Sequence, residues 1–323
     1  MIQEIIKLKG IGMLHDSVPH DPVSLSEAVA IYAENGRGKS TLACLLRSMS
    51  DNDCTEVRAR RALGQQDEPY AEILIDGVKH TLNEGSWDRT YEGMLVFDDH
   101  FVEEYVCVGS LLGAKHLQNL LGFVLEKEAP ETAEGIEDAL EDFRNGVNSR
   151  LRAFVSDFEL ATLERNDTGA DPLAYYTLRM MGSEVPLVAA EPTMPSFSTL
   201  LSPGDRRQLA LAFFFCALDG DPDLARKTVV FDDPSRGLDR RHKTKLAEAL
   251  MGFVGRAQVI VLSHDAEFIQ MMRERGVAQV LQIARSGVYC SFGDCDIDAI
   301  LAADYADRFV ETEGFMTGGH PTF

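Results

Sequence analysis

Short apolar runs and alternating apolar and polar positions take turns with helical periodicity from Ile2 to Phe123, and again from Ala174 to Phe292. Strands of that kind interleaved with helices describe an α/β protein read in two halves. Between them, from Leu125 to Asp171, Glu, Asp and Ala dominate, and apolar residues fall at Ile136, Leu140, Phe143, Val147, Leu151, Phe154 and Phe158. Spacings of three and four predict one amphipathic helix through these positions. Two readings of it stay open: a lid packed on the rest of the chain, or a stub of coiled coil with too few heptads to identify it. The expected organisation is an N-terminal half over 1–124, a helical insertion over 125–171 and a C-terminal half over 172–323.

The apolar runs, such as Leu209–Cys216 and Val259–Leu262, fall far short of the roughly 20 residues a bilayer-spanning helix needs. The opening Met1-Ile2-Gln3-Glu4-Ile5-Ile6-Lys7 has period two and no long apolar stretch followed by small residues, unlike a secretory signal. Six cysteines, Cys44, Cys54, Cys107, Cys216, Cys290 and Cys295, form no CxxC pair and have no histidines at zinc-site spacing. Reduced thiols in a cytoplasmic protein with no membrane partner are expected. A net charge of −21 argues against a surface that tracks DNA or RNA throughout. Two local basic clusters, Arg58, Arg60 and Arg61, and Arg240, Arg241, Lys243 and Lys245, read either as solvated helix faces or as nucleic-acid patches.

The strongest chemical signal is an apolar strand, Ala28–Tyr32, running into Ala33-Glu34-Asn35-Gly36-Arg37-Gly38-Lys39-Ser40-Thr41 and then a helical Leu42–Leu46. A phosphate-binding loop requires this strand, loop and helix context. Gly36 and Gly38 let the backbone curl so that its N–H groups and the helix N-terminus meet a β-phosphate. Lys39 brings a point charge to the β- and γ-phosphates, the Ser40 hydroxyl can ligate Mg²⁺, and Thr41 can bond the α-phosphate. A second apolar strand, Thr228–Phe231, ends in Asp232 and Asp233. Adjacent carboxyls there repel each other unless a cation or a reacting water shares the site. Asp232 is expected on the Mg²⁺ side, and Asp233 as the general base that orients the attacking water.

Three further segments come in a telling order. Leu201-Ser202-Pro203-Gly204-Asp205 opens a long apolar helix; Ser235-Arg236-Gly237-Leu238-Asp239 follows the paired acids; and the strand Val259–Leu262 ends at Ser263-His264. With the phosphate loop these resemble the ABC ATPase superfamily, closer to its SMC-like and RecF-like branch than to membrane transporters. The wording of Tyr32–Ser40, Val96–Val102, Leu209–Phe214 and Phe231–Pro234 is similar to the AAA family ATPase domains related to the anticodon nucleases PrrC and RloC. That group commonly carries Ala where Ala33 replaces the first Gly of the usual loop.

The resemblance implies a P-loop NTPase head with a RecA-like core, an antiparallel β subdomain and a helical lobe. It implies a signature at Ser202 and Gly204 that grips the γ-phosphate held by a second copy, a D-loop ending at Asp239, and a switch histidine at His264. The expected cofactors are ATP and Mg²⁺, and the expected assembly is a monomer that becomes a homodimer on binding ATP. The setting it implies is DNA repair or anti-phage defence, with a nuclease or toxin effector as a possible partner. The alternative is an ATP-dependent clamp that binds nucleic acid through the basic clusters.

Four departures matter. Relatives carry a long coiled coil where only the short insertion stands, and no RNase module follows Phe292. The strand at Met94–Phe97 is not followed by the glutamine of a Q-loop; Asp98, Asp99 or His100 is expected in its place, Gln118 being too far along. A second acid of Asp rather than Glu predicts slow turnover.

Overall fold

The computed structural model describes residues 1–18, 21–64, 66–106, 114–125, 132–166, 173–187 and 193–306. The chain opens with strands β1 (Ile2–Lys9), β2 (Val23–Ser24) and β3 (Ala28–Tyr32), then helices α1 (Lys39–Asp51) and α2 (Thr55–Ala59). Strands β4 (Tyr70–Ile75), β5 (Val78–Asn83), β6 (Ser86–Trp87) and β7 (Met94–Phe97) follow. Helices α3 (Asp99–Tyr105), α4 (Ala114–Leu125) and α5 (Ala133–Ala153) lead to β8 (Phe158–Asn166), β9 (Leu173–Met180) and β10 (Ser183–Pro186). The remainder is α6 (Phe197–Leu200), α7 (Pro203–Asp219), β11 (Thr228–Asp232), α8 (Arg240–Met251), β12 (Gln258–Ser263), α9 (Ala266–Glu274), β13 (Gln279–Ser286) and β14 (Tyr289–Asp294).

Three sheets organise these elements. The central one has the order β14-β13-β3-β12-β11-β7, all parallel except β14. Its middle strands β11 and β12 carry apolar runs, Val229–Phe231 and Val259–Leu262, because both faces are covered, and both are buried at every position. Side chains alternate between the faces. Val229, Phe231, Val259 and Val261 enter a core shared with α5, α7, α8 and α9, whereas Val230, Ile260 and Leu262 meet α1 and the second sheet. That second sheet is antiparallel, in the order β2-β1-β4-β5-β6. A third, β10-β9-β8, is also antiparallel.

The helical lobe is fastened to the central sheet by aromatic rings. Phe214 on α7 lies 5.6 Å from Phe97, 5.0 Å from Phe101 and 5.6 Å from Phe231, centroid to centroid. Phe143 on α5 joins the set through Phe123, 6.2 Å from it and 5.6 Å from Phe101. Tilted and edge-on pairs of this kind add about 0.5–1.5 kcal/mol each beyond the area they bury.

The amphipathic helix is shorter than its spacing predicts. α5 stops at Ala153, Phe154 caps it, Val155 turns left-handed at φ 62°, and Phe158 opens β8. Apolar residues four apart face one core on a helix, and they also do so across this helix-to-strand turn, so the periodicity carried no mark of the break. α5 packs along α7 and β8. Residues 126–131 and 167–171 of the 125–171 stretch, and Cys107, lie outside the described residues.

Candidate nucleotide site

The carboxyl ends of β3, β11 and β12 are brought level by the parallel register, Tyr32 opposite Ser263 and Asp232 opposite Leu262. The loop from Ala33 to Gly38 leaves β3 at this edge and turns into α1. Gly38, at φ 103°, allows that turn; a Cβ there would meet Leu14 at 3.1 Å as well as strain the backbone. Asn35, Gly36, Gly38, Lys39, Ser40 and Thr41 line a cavity of about 480 Å³ with Asp233, Arg236, His264 and Met13. Lys39 is buried and donates to the carbonyls of Ala33 at 2.8 Å and Glu34 at 3.3 Å, with Asp233 Oδ2 3.5 Å away.

Asp232 and Asp233 take different surroundings. Asp232 is buried, accepts a hydrogen bond from the Ser40 hydroxyl, and has no hydrogen-bond partner at Oδ1. Burial, with Asp233 and Asp98 adding repulsion, pushes its carboxyl up to about 6 despite Ser40 and Arg207. A buried carboxyl with an unpartnered oxygen beside a serine hydroxyl is a donor set that fits Mg²⁺, a hard cation that takes oxygen ligands. Asp233 sits in the left-handed region at φ 45°. Its Oδ1 accepts from the His264 backbone N–H at 2.9 Å and lies 2.8 Å from His264 Nδ1. An ionised carboxylate only accepts, so Nδ1 carries the proton in this pair.

The helix that follows Ser202 begins with a closed capping box. Asp205 N–H donates to Ser202 Oγ at 3.2 Å, while Asp205 Oδ2 accepts from the Ser202 backbone at 2.9 Å and its hydroxyl at 2.7 Å. Gly204 packs against the loop after β11; a Cβ on it would stand 2.6 Å from the Gly237 carbonyl oxygen. Asp239 caps α8, accepting from His242 N–H at 2.9 Å. Ser202, Gly204 and Asp239 do not line the phosphate cavity.

No family model and no curated protein matches the sequence. Among solved structures, an SMC head bound to the C-winged helix domain of ScpA aligns with a TM-score of 0.59 at 13% identity, over 93% of this chain and 99% of that one. An Smc head with an extended coiled coil, bound to the C-terminal domain of ScpA and derived from Pyrococcus furiosus, gives 0.56 at 12% identity over 95% and 99%. The recombination mediator protein RecF with ATPrS gives 0.53 at 12% over 90% and 98%. The fold is the mixed α/β fold of these SMC and RecF heads. At such identities the likeness is one of fold.

Within this head several residues stand apart from the sequence expectations. Arg37 turns its side chain from the phosphate cavity to Glu34, 2.6 Å away, and lines a neighbouring cavity of about 910 Å³ instead. None of the three Q-loop substitutes lines the phosphate cavity. Asp98 caps α3 through Phe101 N–H at 3.0 Å and takes the Arg47 guanidinium; His100 lies 3.3 Å from Glu104. Asp99 takes Arg207 at 2.7 Å and Arg236 at 3.0 Å. The Gln118 side chain falls outside the described set.

The basic clusters are laced to acids. Arg58 and Arg61 meet Glu68 at 3.2 and 4.0 Å, Arg60 meets Glu56 at 3.8 Å, Lys243 meets Asp265 at 2.5 Å and Lys245 meets Glu248 at 2.8 Å. Sequence reasoning passed over Arg207 and Arg236. The one signal available for Arg236 was an arginine three residues beyond the second acid, inside the segment read as a D-loop.

Proposed function

We propose that this chain is an ATPase of the SMC-like and RecF-like kind, which binds Mg-ATP in the cavity above α1 and hydrolyses it slowly. One observation carries the reading: Asn35, Gly36, Gly38, Lys39, Ser40, Thr41, Asp233 and His264 line a single cavity, and Asp232 is hydrogen-bonded to Ser40, one of these lining residues. Loop N–H groups and the α1 N-terminus receive the phosphates, and Lys39 neutralises the β- and γ-oxygens. Ser40 and Asp232 would hold Mg²⁺, which would supply charge neutralisation to the phosphate oxygens. Asp233 orients and polarises the attacking water, and His264, held by Asp233, contacts the γ-phosphate.

The signature residues Ser202 and Gly204 belong, on this reading, to the cavity of a second copy. Their place outside the lining of their own cavity supports it. ATP closes two heads head to tail around two nucleotides, and hydrolysis reopens them, which makes the pair a switch acting on a partner effector. The wording similar to the PrrC and RloC ATPase domains favours a setting in anti-phage defence or DNA repair in the cytoplasm. A clamp that grips nucleic acid directly is the weaker reading, because acids already engage the whole of the first basic cluster and half of the second.

The test is the solution mass of Asp233→Asn by light scattering with and without Mg-ATP, since this change keeps binding and blocks water activation. Mass is expected to double only with Mg-ATP, and Ser202→Arg in the same background to abolish the doubling. Tight ATP binding with no change of mass would overturn closure.

A further inference from the structure

Arg236 lines the phosphate cavity beside Lys39, Ser40, Asp233 and His264, although no motif in the sequence required a cation there. Its Nη1 donates to Asp99 Oδ2 at 3.0 Å. The other oxygen of Asp99 takes Arg207 Nη1 at 2.7 Å. The two arginines differ in freedom. Arg207 is buried, donates its Nη2 to the backbone carbonyl of Asp232 at 2.5 Å, and stacks over the Phe97 ring at 5.3 Å. Arg236 has a side chain 62% exposed and meets a single acidic partner among the described residues, Asp99.

One carboxylate facing two guanidinium groups leaves the triad one positive charge in surplus. The bearer able to move is the one at the cavity wall. An oxyanion arriving there offers Arg236 a charge-assisted bond at least as strong as the one to a half-exposed carboxylate that it shares with Arg207.

We propose that Arg236 reads the terminal phosphate in its own chain: with a nucleoside triphosphate bound, its guanidinium exchanges Asp99 for a γ-phosphate oxygen, and with a diphosphate it stays on Asp99. The proposal rests on the nucleotide reading above and adds to it a cation from the same chain. Its consequence reaches further than the phosphate. Once released by Arg236, Asp99 serves Arg207 alone, and Arg207 lies in the first turns of α7 while holding the tip of β11 through the Asp232 carbonyl. Occupancy by the γ-phosphate is thereby passed to the signature helix through two side-chain bonds.

Calorimetric titration with ADP and with an imido-bridged, non-hydrolysable ATP analogue, both with Mg²⁺, tests this. Losing one charge-assisted bond is expected to weaken Arg236→Ala for the triphosphate by about 10- to 100-fold, with ADP affinity within about twofold of wild type. Arg236→Lys restores part of the loss. Asp99→Asn keeps an acceptor for Arg207 while removing the charge that competes for Arg236, so it tightens the triphosphate. If the wild type binds both nucleotides and Arg236→Ala shifts both equally or neither, the proposal is overturned while the ATPase reading stands. If the wild type binds neither, the ATPase reading itself fails.

Discussion

Replacing Asp232 by asparagine is expected to stabilise the metal-free protein at neutral pH, although Asp232 belongs to the proposed metal site. Its carboxyl is raised from 3.8 to about 6, chiefly by burial. The folded protein therefore keeps this proton to a higher pH than the unfolded chain does. The stability tied to the proton is complete below the unfolded value of 3.8 and is lost as pH rises through 6. At about 1.4 kcal/mol per unit, the cost of ionising the group inside the fold approaches ~3 kcal/mol above pH 7. Asparagine imitates the protonated form and escapes that cost, while its carbonyl still accepts from Ser40. Urea unfolding in EDTA, followed by the fluorescence of Trp87, the single and buried tryptophan, measures the difference directly. The variant should be more stable by up to ~3 kcal/mol at neutral pH, with about half the gap left near pH 5 and little near pH 4. Saturating Mg-ATP should reverse the order, because the wild type alone keeps its metal ligand. A variant less stable than wild type in EDTA at neutral pH, or a gap indifferent to pH, would refute the argument.

Further outcomes follow from the packing and the site. Gly204→Ala places a methyl 2.6 Å from the Gly237 oxygen and forces apart two backbone segments. It should cost about 1–3 kcal/mol in urea unfolding and abolish steady-state ATP hydrolysis. Phe214→Ala removes the ring that joins Phe97, Phe101 and Phe231, with an expected loss of about 3–5 kcal/mol by the same assay. Asp233 reaches less far than a glutamate would, so phosphate release should run below about 1 s⁻¹, under the ~10 s⁻¹ typical of enzymes; a rate well above that would refute the assignment.

The centre of the sheet was legible because its strands are covered on both faces and so read as unbroken apolar runs, as Val229–Phe231 and Val259–Leu262 do. The loop between β3 and α1 was legible because Ala33, Gly36 and Gly38 stand between an apolar strand and a helical run. The end of α5 was not. Leu151, Phe154 and Phe158 satisfy helical spacing whether or not the chain turns at Val155, and a left-handed valine leaves no pattern in a sequence. Nor was the Arg236 and Asp99 pair visible, since its members lie 137 residues apart and ion pairs between loops have no period. The loop's own Arg37 shows the opposite failure. It stood inside the motif, and its side chain is held by a glutamate three residues earlier instead.

Charge gives a physical reason for the proposed switch to be gated by nucleotide. Two copies at −21 repel each other, over a range that ionic screening cuts to about 8 Å at physiological salt. Free heads are kept apart by that repulsion, and closure has to come from short contacts made at the phosphates. Added salt removes the repulsion more effectively than it weakens bonds inside a closed, water-poor seam. Closure of Asp233→Asn with Mg-ATP should therefore tighten between low and moderate salt. Binding of a nucleic acid would weaken steeply over the same range, because each phosphate contact releases counterions. The sign of the salt dependence thus separates a pair of closing heads from a clamp on DNA or RNA, and association that falls steeply with salt would favour the clamp.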